Sequence, residues 1–545
     1  MKPVANRRWD SETLLVVQLA ACVSLAAFFY YLRHGDILLY GDAVAHINIA
    51  RRVFDSRTPG LLQLGTVWLP LPHLLMIPFL LSDWMWRTGI GGSIPSLFAY
   101  VFGTVGVFRL VRGALASSSG PTAAVRVAAW TAAIIFAANP NLIYLQTTAM
   151  TEPLYLAFFI WTVVYFADYV RASRLSADER SASSSLLKCG LCLAGACLTR
   201  YDGWFLAVVI GLAALGVTIR TTPRRFFSPS FLRFALITAA VPILWLTYNA
   251  VVYRNPLEFA IGPYSAKAIE LKTATPGAPP HPGTHNFPVA ATFFLKSAEM
   301  NFMVNGWHRL WLALLLAGTV LALLVERRIW PLVLLWTPLP FYMLSIAYGG
   351  VPIFMPVWWP YSIYNARYGI QLLPVFAVFV SLAGYFFSRV TPNRTYKATI
   401  AIASLLLIAA SYGYAWYEQP ISFQEASINA RTRMALEHEL ARNFNLLPPH
   451  SSFLMYLGDH VGALQVAGIP LRRVIYEGNH RTWKQPSDPQ GLWERALAAP
   501  EQYVDYVIAM DRDAVAVGVE KQHLAVVAII HVHGQPNATI YRTLQ

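Results

Sequence analysis

Charge is scarce in this chain. Only 13% of its 545 residues are Asp, Glu, Lys or Arg, while 56% are hydrophobic. So few charges could not cover so much apolar material in a soluble protein of this size, which assigns the chain to a bilayer. Acidic residues are rarer still, 28 against 42 basic ones, for a formal net charge of +14. That balance raises nucleic acid as a partner, but the basic residues are mostly arginines spaced between apolar runs. This is the positive-inside pattern of a membrane protein, and nucleic acid is set aside.

Cysteine is nearly absent too. Cys22 stands in the first apolar run and Cys189, Cys192 and Cys197 in a later one, too few and too clustered for a disulfide framework. The C-x-x-C of KCGLCLAGAC lies among small apolar residues with no histidine nearby, so it reads as a stripe that lets helices approach closely. No internal repeat is visible, which weighs against a transporter built from related halves.

What the chain has instead is span-length apolar runs. They fall near 13–32, 94–113, 127–146, 152–170, 187–199, 203–219, 234–252, 308–325, 329–347, 368–388 and 398–416. Aromatics reach 14%, with 17 Trp, as interfacial belts around many spans require. The leader MKPVANRRWDSE carries no clear small-residue cleavage site after it and reads as the approach to a retained first helix. Alternate loops are basic: Arg7 and Arg8, then Arg112 and Arg126, Arg171 to Lys188, Arg220 to Arg233, Arg327 and Arg328, and Arg389 to Lys397. These loops face the cytoplasm, and the N-terminus with them.

That parity decides the run GTVWLPLPHLLMIPFLL, residues 65–81. As a full span it would flip every later loop, and Pro70, Pro72 and Pro78 break a continuous helix. It is therefore expected to lie in the outer interface, within one external loop, 33–93. Residues 254–306 form a second external loop with the mobile core ATPGAPPHPGTHNFP. From 417 to 545 the pattern changes to short β-like runs (SSFLMYLG, YVDYVIAM, HLAVVAIIHV) around the helical stretch NARTRMALEHELARNF. The expected fold is an all-α polytopic membrane protein of about eleven spans, residues 1–416, with a small external α/β domain at 417–545.

The polar residues then sort to one side. Asp42 and His46 follow the first span, Glu152 opens the fourth, and Arg200 and Asp202 sit at an outer turn in LTRYDGW. Arg254, Tyr264 and Lys267 begin the second external loop, and Arg367 with Tyr368 opens the tenth span. Charges near lipid are costly and are functional candidates by default. Their gathering on one face, away from the midplane, favours a catalytic cavity over a transport path. A carboxylate at the headgroup boundary can take a proton from an acceptor hydroxyl, and arginines can hold a leaving phosphate that departs without protonation. Glycosyl transfer from a lipid-linked sugar phosphate needs that inventory.

At these residues the chain resembles the GT-C superfamily of membrane glycosyltransferases, which includes protein O-mannosyltransferases and bacterial aminoarabinose transferases. The resemblance rests on YGDAVAHINIARRVF, VWLPLPHLLMIP, TEPLYLAF, LTRYDGWF and ARYGIQLLP, in that order, over roughly residues 10–420. It implies an inverting transferase using a polyprenyl-phosphate-linked sugar, with a protein, lipid or glycan acceptor; a bacterial inner membrane is the expected location, since no long cytosolic or endoplasmic-reticulum retention segment is seen. Asp42 would be the base. Arg200, Arg367 and Lys267, with Tyr264 and Tyr368 beside them, would hold the donor phosphate, and the 254–306 loop would close over it.

The chain also departs from the family pattern. Ala43 follows Asp42 where relatives often have a second acid, which leaves Glu152 for that part. Trp68 or Leu69 stands where some relatives place a metal-binding Glu. Asp42, His46 and His73 could together ligate a divalent metal. The favoured reading has His46 supporting Asp42 by a hydrogen bond, His73 as an interfacial polar residue, and Asp202 and Arg254 in supporting places. Arg51 and Arg52 are expected to meet lipid phosphates. The alternative function is a transporter or flippase of a lipid-linked solute.

Overall fold

The computed structural model describes residues 10–116, 121–174, 179–221, 228–273, 279–303, 306–390, 393–458, 460–479 and 488–543. Among them ten helices are long and apolar enough to cross a membrane: Ser11–His34, Ile90–Ala114, Glu152–Arg174, Glu179–Thr199, Asp202–Thr221, Pro229–Tyr253, His308–Val325, Arg328–Tyr348, Ala366–Phe387 and Arg394–Tyr417. The chain is an integral membrane protein, all-α in its bilayer part.

The remaining expected span, 127–146, is two pieces, Ala123–Ala137 and Pro140–Leu145. Asn139 breaks it: its side chain caps the second piece by accepting from the Leu142 N–H at 3.0 Å, and Pro140 follows at the first helical position. Helix Leu71–Leu80 has Pro78 inside and ten residues, about 15 Å of rise, half of what a hydrocarbon core demands. The proline-rich run is thus too short to span, as its parity requires. The small-residue stripe also behaves as read. A Cβ on Gly195 would come within 2.5 Å of the Phe158 ring, and all four cysteines are free thiols.

Beyond the last span, helix Ile421–Phe444 leads into a five-stranded sheet. Its strands are β1 (Phe453–Met455), β2 (Val474–Ile475), β3 (Tyr506–Met510), β4 (Ala525–Ile530) and β5 (Ala538–Arg542), in the order β2-β1-β3-β5-β4. β1 pairs in parallel with β2 and β3, and β5 is antiparallel to β3 and β4. Strand alternation splits the sheet's two faces. Leu454, Val507 and Ala509 pack on Trp493, Ala496 and Val515. Phe453, Tyr506 and Ile508 instead join Leu436, Leu440 and Phe444 in the main core, which continues into the membrane helices.

Two expectations change here. Part of the Pro/Gly/His segment, 274–278, lies outside the described residues, but the rest of it is pinned. His281 is buried, its Nε2 3.0 Å from the Ile353 carbonyl, and the His285 N–H donates to the Ala347 carbonyl at 2.9 Å. Arg51 is not placed to meet lipid phosphates. Arg51 is buried, donating to Asp55 at 2.8 Å, to Asp83 at 2.6 Å and to the Leu80 carbonyl at 2.6 Å. Asp55 also accepts the Leu471 and Arg472 N–H groups, so this pair joins the first loop to the C-terminal region. Arg52 donates to the Gln63 carbonyl at 3.3 Å and lies over the Tyr476 ring.

Candidate active site

Asp42 lies in the first turn of helix Gly41–Arg52, which leaves the membrane-length first helix after Gly35. Gly35 has φ 77°, a left-handed turn that ends the helix and redirects the chain. The Asp42 side chain is 44% exposed, and one of its oxygens accepts from Arg367 Nη2 at 2.6 Å. It is the accessible acid of a cluster that is otherwise buried.

Arg367 is the hub of that cluster. It is 4% exposed and donates to three carboxylates: Asp42, Glu152 at 3.3 Å through Nε, and Glu425 through Nη1. Its own main-chain N–H donates to Glu425 at 3.0 Å. Tyr40 and Tyr368 flank the guanidinium at 5.0 and 4.9 Å. The turn carrying it is held from behind. Ser297 and Asn301 both donate to the Ala366 carbonyl, at 2.8 and 2.7 Å, and Gly369 lies where a Cβ would come 2.4 Å from the Ala298 nitrogen. Only glycine permits that approach. Arg367 is therefore aimed by packing and main-chain hydrogen bonds before any ligand arrives.

Arg200 forms the second node. It donates to Glu152 at 3.2 Å, Asp202 at 3.4 Å, the Thr151 hydroxyl at 3.1 Å and the Tyr342 hydroxyl at 2.9 Å. The Tyr368 ring lies 5.0 Å from it and so meets both guanidiniums. Glu152, fully buried, accepts from both arginines through one oxygen. Its other oxygen and Asp202 Oδ1 are buried with no hydrogen-bond partner among the described residues. Four carboxylates thus meet two guanidiniums.

The histidines are arranged differently from the favoured reading. His46 Nδ1 lies 2.9 Å from His73 Nε2, so His46 turns to His73 and not to Asp42. Both are buried, and Trp68 covers His46 with ring centres 4.5 Å apart. Burial, with the charges of Arg200 and Arg367 nearby, pushes His46 down to about 3, and burial pushes His73 down as well. Asp42, His46 and His73 do not come together as a ligand set; among the described residues no group of three His, Cys, Asp or Glu could hold a metal ion.

Arg254 and Lys267 stay outside the cluster. Arg254 is exposed at the left-handed end of helix Pro229–Tyr253, with φ 61°. Lys267 is exposed on helix Ala266–Thr273, its backbone against Gly350, and Tyr264 is half-buried just before that helix. Sequence reasoning missed Glu425, Tyr40 and Tyr342. Glu425 sits in helix Ile421–Phe444, which composition assigns to the C-terminal domain. That helix is fixed to the bundle by Tyr40, whose hydroxyl donates to the Ser422 carbonyl at 2.7 Å, and by Asn141, which accepts the Ser422 N–H at 2.8 Å. An acid a few residues past the last span, on the side of the other candidates, was the available signal.

No protein-family model matches the chain, and no curated protein matches it significantly. Solved structures do. ArnT from Cupriavidus metallidurans bound to undecaprenyl phosphate is similar over 97% of this chain and 98% of its own, at 13% identity and a TM-score of 0.56. Its apo form gives the same values. The oligosaccharyltransferase AglB from Archaeoglobus fulgidus, in complex with an inhibitory peptide and a dolichol-phosphate, aligns over 98% of this chain and 74% of its own, at 14% identity and a TM-score of 0.48. The match to ArnT runs nearly end to end in both chains, and this chain shares the fold of that structure.

Proposed function

We propose that the chain is an inverting glycosyltransferase acting at the external face of a bacterial inner membrane. It moves a sugar from a polyprenyl-phosphate-linked donor to a hydroxyl of a protein, lipid or glycan acceptor. The observation that carries this reading is Asp42, a half-exposed carboxylate fixed by a buried arginine at the end of a membrane helix. The undecaprenyl phosphate bound by ArnT, which shares the fold, is consistent with a lipid-phosphate donor.

In this reaction the bond between the sugar's anomeric carbon and the phosphate oxygen breaks, and a bond to the acceptor oxygen forms on the opposite face. The acceptor's proton passes to Asp42. The phosphate leaves with its negative charge, facing Arg367 and Arg200, with Lys267 and Tyr264 approaching from the second loop. Both arginines are already engaged by acids, so they meet the phosphate as preorganised donors rather than as free charges. Grouping of all these charges at one end of the helices supports a transferase over a transporter.

The test is transfer in membranes, with radiolabelled polyprenyl-phosphate sugars as donors and total membrane extract as acceptor. Asp42→Asn should lose roughly a hundredfold or more in transfer while still inserting and binding donor. Equal transfer by Asp42→Asn and wild type would remove Asp42 as the base. A chelator arm reads whether a divalent cation takes part.

A further inference from the structure

The other end of the same bundle holds a cavity of about 1480 Å³ that the transfer chemistry does not use. Its depth is apolar, lined by residues such as Val125, Ile135, Trp311, Leu332, Val380 and Ile408. Its rim is basic: Arg171, Arg174, Arg328, Arg389 and Lys397 line it, with Glu326 as the only acid among the lining residues. Glu326 is already taken by Arg328 at 2.7 Å. Glu152 begins the helix that Arg171 and Arg174 end, and Arg367 begins the one that Arg389 follows. The cavity is thus separated from the Arg367 cluster by about a helix length, roughly 30 Å.

One wall of the cavity is a helix whose side-chain hydrogen bonds to its neighbours lie toward one end. In Arg394–Tyr417, Ser411 accepts from the Trp311 indole at 3.0 Å and Tyr412 donates to the Ile135 carbonyl at 2.8 Å. Both ties lie in its last two turns. Its first half, from Lys397 to Ile408, lines the cavity, with Ile408 packed into the core at its lower end. A greasy slot inside a bilayer protein fills with chains, and a basic mouth selects the head. Basic pockets between membrane helices at the cytoplasmic surface suit lipid phosphates.

We infer that this cavity is a structural site for an anionic phospholipid of the inner leaflet. Its acyl chains fill the slot and its phosphate meets Arg171, Arg174, Arg389 and Lys397. The basic rim commits the occupant: Arg171 is partly met by Asp168 at 3.6 Å, but the rim keeps an excess of cations, and a zwitterionic lipid would bring its own headgroup cation into it.

The full-length protein, delipidated in detergent, would be offered phosphatidylglycerol, phosphatidylcholine and undecaprenyl phosphate at equal concentration, with bound lipid read by native mass spectrometry. Wild type should retain phosphatidylglycerol over phosphatidylcholine, and undecaprenyl phosphate, which has its own place at the Arg367 cluster, should bind beside phosphatidylglycerol without displacing it. The Arg389→Gln, Lys397→Gln double variant should lose about thirtyfold in that retention, two charges' worth near a membrane surface. Gly384→Leu probes the slot without touching the rim, since a Cβ there meets only Ser404 Oγ at 3.9 Å. It should reduce retention while leaving the protein folded. Equal retention of phosphatidylcholine, or retention unchanged in both variants, would overturn the site. Displacement by undecaprenyl phosphate in preference to phosphatidylglycerol would overturn the choice of occupant.

Discussion

Replacing Glu425 tests how Arg367 is held. Glu425 is 1% exposed and does two things: one oxygen accepts the Arg367 main-chain N–H at 3.0 Å and the other accepts its guanidinium. Glu425→Ala strands that buried N–H, at about 1–3 kcal/mol. It also removes one of three carboxylates from a buried guanidinium. Breaking an isolated buried pair costs about 3–5 kcal/mol, but Asp42 and Glu152 remain here, so the charge part should fall well below that. The sum is about 3 kcal/mol. Glu425→Gln keeps an acceptor for the N–H and loses only charge, for about 1–2 kcal/mol. Unfolding in mixed micelles titrated with dodecyl sulfate, followed by tryptophan fluorescence, would measure both. Alanine must cost more than glutamine. Two variants equal to each other and within about 0.5 kcal/mol of wild type would refute the idea that Glu425 positions Arg367.

The paired histidines predict an acid-sensitive fold. His46 and His73 are held neutral, with folded-state values pushed below the ordinary 6.5, so the unfolded chain binds more protons in that range. Their contribution is complete above about pH 6.5 and is lost as the pH falls toward 3, by about 3 kcal/mol for the pair between 6.5 and 5. His46→Gln with His73→Gln should flatten the stability profile over that window; an unchanged slope would sink the account. Gly369→Ala should displace the Arg367 turn, since its Cβ would overlap the Ser297 and Ala298 backbone. The expected result is loss of most transfer activity with the rest of the fold intact by limited proteolysis, and wild-type activity would contradict the close approach.

Much of the fold was legible because membrane insertion leaves a coarse signal. Runs of some twenty apolar residues and the alternation of basic loops depend on local composition, and nearly all the helices follow them. Breaks were less legible: the interruption at Asn139 depends on a single cap and on Asn301, whose carbonyl accepts from Asn139 and Asn141 at 2.9 Å. The short strands β2 and β5 went unread, since two to five residues carry little period of their own. Of the candidate site, Asp42, Glu152, Arg200, Asp202, Arg367 and Tyr368 do converge, while Arg254 and Lys267 stay apart. Glu425 escaped because its helix is polar and amphipathic, like any surface helix.

From the sequence alone came the bilayer, the number of span-length helices among the described residues to within one, and the collection of acids and arginines at the helix ends. Those follow from transfer energies that each residue carries regardless of its neighbours. Which acid pairs with which arginine was decided only in three dimensions. Arg367 meets Asp42 from 325 positions away, and His46 prefers His73 to its helical neighbour Asp42. Arg51 turned from a lipid-facing charge into a buried anchor for the same reason. A charge near lipid must find a partner, but the sequence does not say who that partner is; the packing of distant helices does.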